Sequence, residues 1–247
     1  MKASSRLAVI MASTALAVAA QFLPSLEADS PEEFDDYLTV EAAENPRTRL
    51  AAIEAFRTLW PKSAMMPRIL ELEFLAWKQA GNLVKARKAG EAALAAAPDN
   101  LSVKAELAAL LAVDDPAEAS RLARETLEAL ERFRAPRRLT LQAWARVSGA
   151  IRSQAHMALG VARFADGDTH AALAELEKAD RAALSPDPAI CLRLGRVYAL
   201  LGRNADAQRQ FERAVQTGDT LAVQLAKDEL ARLKEAGQGC SGHNEEE

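Results

Sequence analysis

Aromatic residues make up only 5% of the 247-residue chain, histidine occurs three times and cysteine twice. Two cysteines do not make a disulfide framework: Cys191 falls at an internal helix position and Cys240 in a polar stretch, so a buried thiol and an unpaired one are expected. No cysteine follows the apolar N-terminal run, which excludes the lipid-anchored pattern of bacterial lipoproteins. Runs of β-branched residues are nearly absent, which argues against sheets. There is no basic surplus either. The formal net charge is −4, and −6 once the first 20 residues, with Lys2 and Arg6, are set aside. The short basic stretch at Arg132, Arg134, Arg137 and Arg138 reads as a solvated helix junction, so nucleic acid is not an expected partner.

Chemistry is equally sparse. There is no P-loop, no G-x-G-x-x-G following a strand, no H-E-x-x-H and no paired C-x-x-C. His156 lacks a second ligand at i+4, while His170 opens a helix and His243 lies in the C-terminal stretch. No residue nominates itself as catalytic, as a metal ligand or as a cofactor contact, and no small-molecule substrate is implied; the expectation is a non-enzymatic protein without cofactors.

What the chain has in abundance is alanine, about a fifth of all residues. Alanine costs no side-chain entropy in a helix and lets backbones approach closely, so this composition favours many thin, tightly packed helices. At the N-terminus, Lys2 and Arg6 precede the apolar stretch 7–20, and Ala17-Val18-Ala19 offers a small-x-small cleavage pattern. Residues 1–20 are expected to be a secretory signal peptide or, if uncleaved, an anchor. The run is short for a span of roughly 20 residues. Either way the bulk of the chain leaves a bacterial cytoplasm, for the periplasm or the medium, and membrane contact arises only through an uncleaved N-terminal segment.

Self-similarity lies in the C-terminal half. Gly160, Gly167, Ala172, Leu176 and Ala179 recur as Gly195, Gly202, Ala207, Phe211 and Ala214, each pair 35 residues apart. The first glycine of each set falls mid-helix, where a missing side chain admits a partner helix; the second falls just past the helix end, where a left-handed cap is needed. The stripe Ala172, Leu176, Ala179 then faces one side of a second helix. The unit is a helical hairpin.

In these residues the sequence resembles the tetratricopeptide repeat family, whose unit of about 34 residues follows W-x₂-L-G-x₂-Y, then A-x₃-F, then P. Leu194, Gly195, Tyr198, Ala207, Phe211 and Ala214 match it, while Cys191 stands for the tryptophan and Asp219 near the proline. Upstream, Gly81, Ala86, Ala93 and Pro98 keep the same offsets, although Phe74 and Gly90 replace the usual glycine and aromatic. A shortened unit runs from Leu101 through Asp114-Asp115-Pro116. The resemblance implies an all-α fold: a right-handed α-solenoid of antiparallel helix hairpins with a C-terminal capping helix. The expected organisation is a degenerate first hairpin over 30–61, units over 67–100, 101–135, 138–186 and 187–219, a capping helix over 220–236 and a disordered tail over 237–247. The unit 138–186 has an extended first helix, its stripe Trp144, Val147, Ile151, Ala155 and Ala158 expected to lie over the preceding hairpin rather than to form a dimer contact.

The resemblance also implies a function. First helices line a concave surface that binds peptides or proteins, at their second, fifth, ninth and twelfth positions. Those positions are Arg68, Glu71, Leu75 and Lys78; Ser102, Ala105 and Ala109; Gln154, Met157, Val161 and Phe164; and Leu192 and Arg196. The lysine–asparagine clamp of relatives that bind carboxy-terminal peptides is missing, and the later lining is apolar, suited to a hydrophobic segment or an amphipathic helix. The expected role is an exported protein–protein scaffold; a component of envelope biogenesis or cell division, or an accessory binding domain of an enzyme complex, are the alternatives. The partner and the oligomeric state stay open.

Overall fold

The computed structural model describes residues 28–132, 139–217 and 220–241. The proposed signal segment 1–20 and the last six residues lie outside this range. Eleven described helices follow one another: α1 (Pro31–Ala42), α2 (Pro46–Leu59), α3 (Met66–Gln79), α4 (Leu83–Ala96), α5 (Leu101–Leu111), α6 (Pro116–Arg132), α7 (Leu141–Ala165), α8 (Thr169–Ala182), α9 (Pro188–Leu200), α10 (Asn204–Val215) and α11 (Leu221–Ser241). Consecutive helices pair as hairpins, and each hairpin packs on the next, with α11 closing the stack against α9 and α10. No described helix is long and apolar enough to cross a membrane.

The helix starts follow from side chains. Ser30, Asn45, Asn82, Asn100, Thr140, Asp168 and Asp187 each accept a hydrogen bond from a backbone N–H of the first turn that they precede. The turns inside three hairpins are alike. Gly81, Gly167 and Gly202 take φ of 73°, 82° and 72°, and the following residue donates its N–H to the carbonyl five positions back, Asn82 to Trp77, Asp168 to Arg163 and Arg203 to Tyr198. This is the glycine-terminated helix end that satisfies otherwise orphaned carbonyls. The α5–α6 turn has no glycine; there Asp115 caps α6 by accepting from the N–H of Glu118.

Inside the hairpins a small residue on one helix faces a large one on the other. A Cβ on Gly195 would lie 2.3 Å from the Phe211 ring, and one on Gly160 would lie 2.7 Å from Leu176. In α3–α4 the contact is inverted: Phe74 is the large partner, and a Cβ on Gly90 would sit 3.2 Å from its ring. The apparent departure of this unit from the repeat pattern is thus a reciprocal exchange across one preserved contact.

Helix α7 has 25 residues and α6 has 17. The extra turns of α7 pack on α6: Trp144 and Val147 cover the core cluster containing Leu130 and Ile151. One boundary differs from the sequence expectation. Helix α11 runs through Gly237 and Gly239 to Ser241 rather than ending at 236, because an interior glycine costs a helix only about 1 kcal/mol relative to alanine and does not by itself stop it.

Candidate functional site

Helices α3, α5, α7 and α9 carry the residues with which the sequence lines the binding surface, and the structure sorts these candidates into three groups. The first is core. Arg68 and Glu71 are fully buried. The Arg68 guanidinium donates from Nε to Glu41 Oε1 of α1 at 2.9 Å and pairs with Glu71 at 3.1 Å. Glu71 Oε2 in turn accepts from Asn100 Nδ2, at the start of α5, at 3.1 Å. Burial works against the Arg68 charge, but Glu71 and Glu41 outweigh it and hold the group firmly protonated. Nearby, burial together with the bond to Glu41 pushes the Tyr37 hydroxyl up to about 12. Met157 and Leu192 are also buried, in the cluster built around Leu176 and Phe211. These four residues therefore do not line a groove: neighbouring hairpins cover them.

The second group is a polar floor. Lys78 of α3 pairs with Glu106 of α5, and Gln154 Nε2 of α7 donates to the same carboxylate oxygen at 3.3 Å. Three successive first helices are thereby tied across one face. Leu75 is half-buried against the core beside this floor. Ser102 belongs to an open cleft of about 480 Å³ between α5, α7 and the α8–α9 turn, which Glu106, Gln154 and Asp187 also border, while Ala105 lies behind its wall in the core.

The third group is apolar and open. Phe164 is 42% exposed and Leu200 66% exposed. With Ala199 and Leu233 they line a groove of about 410 Å³ between the ends of α7 and α9 and the middle of α11, flanked by Arg196 and Arg232. Arg196 Nε donates to Glu229 at 2.9 Å, which fixes the guanidinium at the groove edge. Val161 is half-buried on the same helix, packed against the core. Glu106, Leu200, Arg232 and Leu233 escaped the sequence reading. Glu106 lies one turn beyond Ser102, a helical spacing that signals a shared face; the α11 residues carry no repeat signal.

Titratable groups here serve the packing. His156 Nδ1 of α7 lies 2.7 Å from Glu175 Oε2 of α8. That bond, aided by Lys178 and opposed by burial, holds the Glu175 carboxyl down to about 2. A depressed carboxylate stabilises the fold above its ordinary pKa, and the contribution is lost as pH falls towards the folded value. Acid denaturation should therefore draw on Glu175 between about pH 4.5 and 2. Glu175→Gln is expected to flatten stability against pH in that window, read by thermal melts; an unchanged slope would refute the assignment. The Cys191 thiol, pushed up to about 11 by burial, is inert. Among the described residues no group of three or more His, Cys, Asp or Glu is placed to hold a metal ion.

No family model and no curated protein matches the sequence. Solved structures do. The chain is similar to PilW, a type IV pilus biogenesis factor, with a TM-score of 0.58 and 17% identity over 87% of this chain and 96% of that one. It is similar to MamA of Desulfovibrio magneticus RS-1, with a TM-score of 0.55 and 14% identity over 76% and 95%. A thermophilic tetratricopeptide protein of Thermus thermophilus aligns with a TM-score of 0.50 and 19% identity over 81% and 98%. At such identities the likeness concerns the fold. Together with the recurring glycine turns and the small-against-large contacts, it gives this chain the tetratricopeptide-repeat fold, an α-solenoid of helical hairpins.

Proposed function

We propose that this protein is a non-enzymatic adaptor, acting outside the cytoplasm, that holds an amphipathic helix or extended segment of a partner protein against the α7–α9–α11 face. The observation that carries the reading is the groove around Phe164 and Leu200. An aromatic and an aliphatic side chain, both substantially exposed, sit side by side with arginines at the edge. This is the chemistry of a helix-in-groove contact, with apolar anchors within and charge at the rim. The export part of the proposal rests on Lys2, Arg6 and the apolar run to residue 20. The similarity to PilW favours, among exported roles, service to an envelope assembly.

Two experiments test it. A photo-reactive amino acid placed at Phe164 or Leu200 in the native host should crosslink one discrete partner, and one placed at exposed Arg209 of α10 should not; equal labelling from both faces would count against the groove. Phe164→Asp should weaken capture of the crosslinked partner at least tenfold while leaving the melt within a few degrees of wild type, since the side chain is half in solvent. Separately, residues 1–30 fused to alkaline phosphatase should confer activity that requires export. An inactive fusion would withdraw the extracytoplasmic assignment.

A further inference from the structure

A second apolar surface lies at the other end of the stack, on α1. Phe34 is 45% exposed and Leu38 44% exposed. They stand one turn apart on one side of the helix, with exposed Ala42 one turn further on. The Phe34 ring stacks on Tyr37, with centroids 6.2 Å apart, and Tyr37 is held by its bond to Glu41, so the ring is presented on a braced support. The opposite end of the stack is finished differently. Beyond exposed Leu221 at its first position, the outward positions of α11 are mostly polar, Gln224, Lys227, Asp228, Arg232 and Lys234 among them, as a terminal helix in a repeat array requires. Helix α1 has not been made polar in that way.

Along α1 itself the charge is of one sign, and the first basic residue after it in the chain is the exposed Arg47 of α2. From residue 7 to residue 46 the sequence has no lysine, arginine or histidine, yet it carries eight acids, of which Asp29, Glu32, Asp35 and Glu44 are exposed. Glu41 and Asp36 are engaged inward, with Arg68 and with the Trp60 indole N–H. An apolar ridge in an acidic field repels acidic and anionic surfaces, membranes of anionic lipid included, and selects for its complement. We propose that the outer face of α1 docks a basic amphipathic helix of a partner protein, its apolar stripe on Phe34 and Leu38 and its lysines or arginines over Glu32, Asp35 and Glu44. The surface is separate from the groove at Phe164, so either can fail without the other.

The probe is an 18-residue leucine–lysine amphipathic peptide, with its leucine–glutamate counterpart as control, titrated against the purified full-length chain by fluorescence anisotropy. Binding of the lysine peptide should weaken at least tenfold in Phe34→Ser/Leu38→Ser, and severalfold in Asp35→Lys, which keeps the ridge. It should also fall with added salt and be unchanged in Phe164→Asp. Equal affinity in the double variant and wild type, or equal binding of the glutamate peptide, would overturn the proposal. A photo-reactive residue at Leu38 that couples only to residues 1–27 of the same chain, or only to a second copy, would overturn it as well.

Discussion

Gly195→Ala is expected to lower the stability of the domain by roughly 2–3 kcal/mol, the upper part of the usual range for overpacking a well-filled core. The added Cβ would stand 2.3 Å from Cε1 and 2.5 Å from Cδ1 of Phe211. The ring is 1% exposed, shares its cluster with Leu176, Leu194 and Ala214, and borders only the groove beside Leu200 and Leu233. Either α10 moves away from α9, which loosens the seat of α11, or the ring leaves its rotamer. Phe211→Ala alone should cost about 3–5 kcal/mol through the cavity it opens. Because the methyl group and the ring compete for one space, the double variant should be less damaged than the sum of the two by about 1 kcal/mol or more. Urea unfolding curves of the four proteins measure this, and strict additivity would show that the two residues do not meet. The comparison with Gly202→Ala is informative: there the space is open, and the cost comes from a left-handed backbone, roughly 1–2 kcal/mol.

Arg68→Met should be the other severe change, at about 3–5 kcal/mol, the usual cost of breaking a buried ion pair from one side. Its side chain is wholly shielded from solvent, and its loss strands the Glu71 carboxylate, itself 1% exposed, with Asn100 as its remaining partner. It also releases Glu41, the acid through which α1 is fastened to α3. The damage should therefore be directional, with the α1–α2 hairpin becoming protease-sensitive before the rest. Replacing Glu71 as well, by Met, should recover much of the loss, since a matched apolar pair leaves no orphaned charge. A single variant that melts like wild type would mean that water reaches this cluster.

The hairpins were legible in the sequence because close helix packing demands a vanishing side chain at a fixed place, and glycine at positions 35 apart has few other reasons to recur. The second unit was harder to read for an instructive reason. The same contact is made there with its members exchanged, Phe74 against Gly90, and a pattern that tracks residue type position by position misses an interaction conserved as a pair. The helix through Gly237 was missed because a glycine signal marks a turn only when the following backbone has bonds to make there.

The binding face was legible in part. Lys78, Gln154, Phe164 and Arg196 emerge on open surface, whereas Arg68, Glu71, Met157 and Leu192 do not. The position rule specifies the direction in which a side chain leaves its helix; how far the neighbouring hairpin overlaps it is decided by relative hairpin placement, to which sequence spacing is blind. Burial of Arg68 and Glu71 was beyond any local rule, because their own i,i+3 pairing is completed from other helices, by the Glu41 carboxylate of α1 and by the neutral amide of Asn100 that caps α5.

A stack of identical units would be expected to fray one hairpin at a time, each holding its neighbour and nothing else. Helix α7 prevents that here, since Ile151, Ala155 and Leu159 belong to the interior shared with α3 to α6 while Met157 belongs to the interior shared with α8 to α11. A single rod thus runs through both interiors. Amides in the middle of α7 should exchange with solvent only when both of these interiors open together, which makes the array behind the α1–α2 hairpin, whose own interior lies around Ile53 and Phe56, behave under stress as one cooperative body rather than as a row of separable beads.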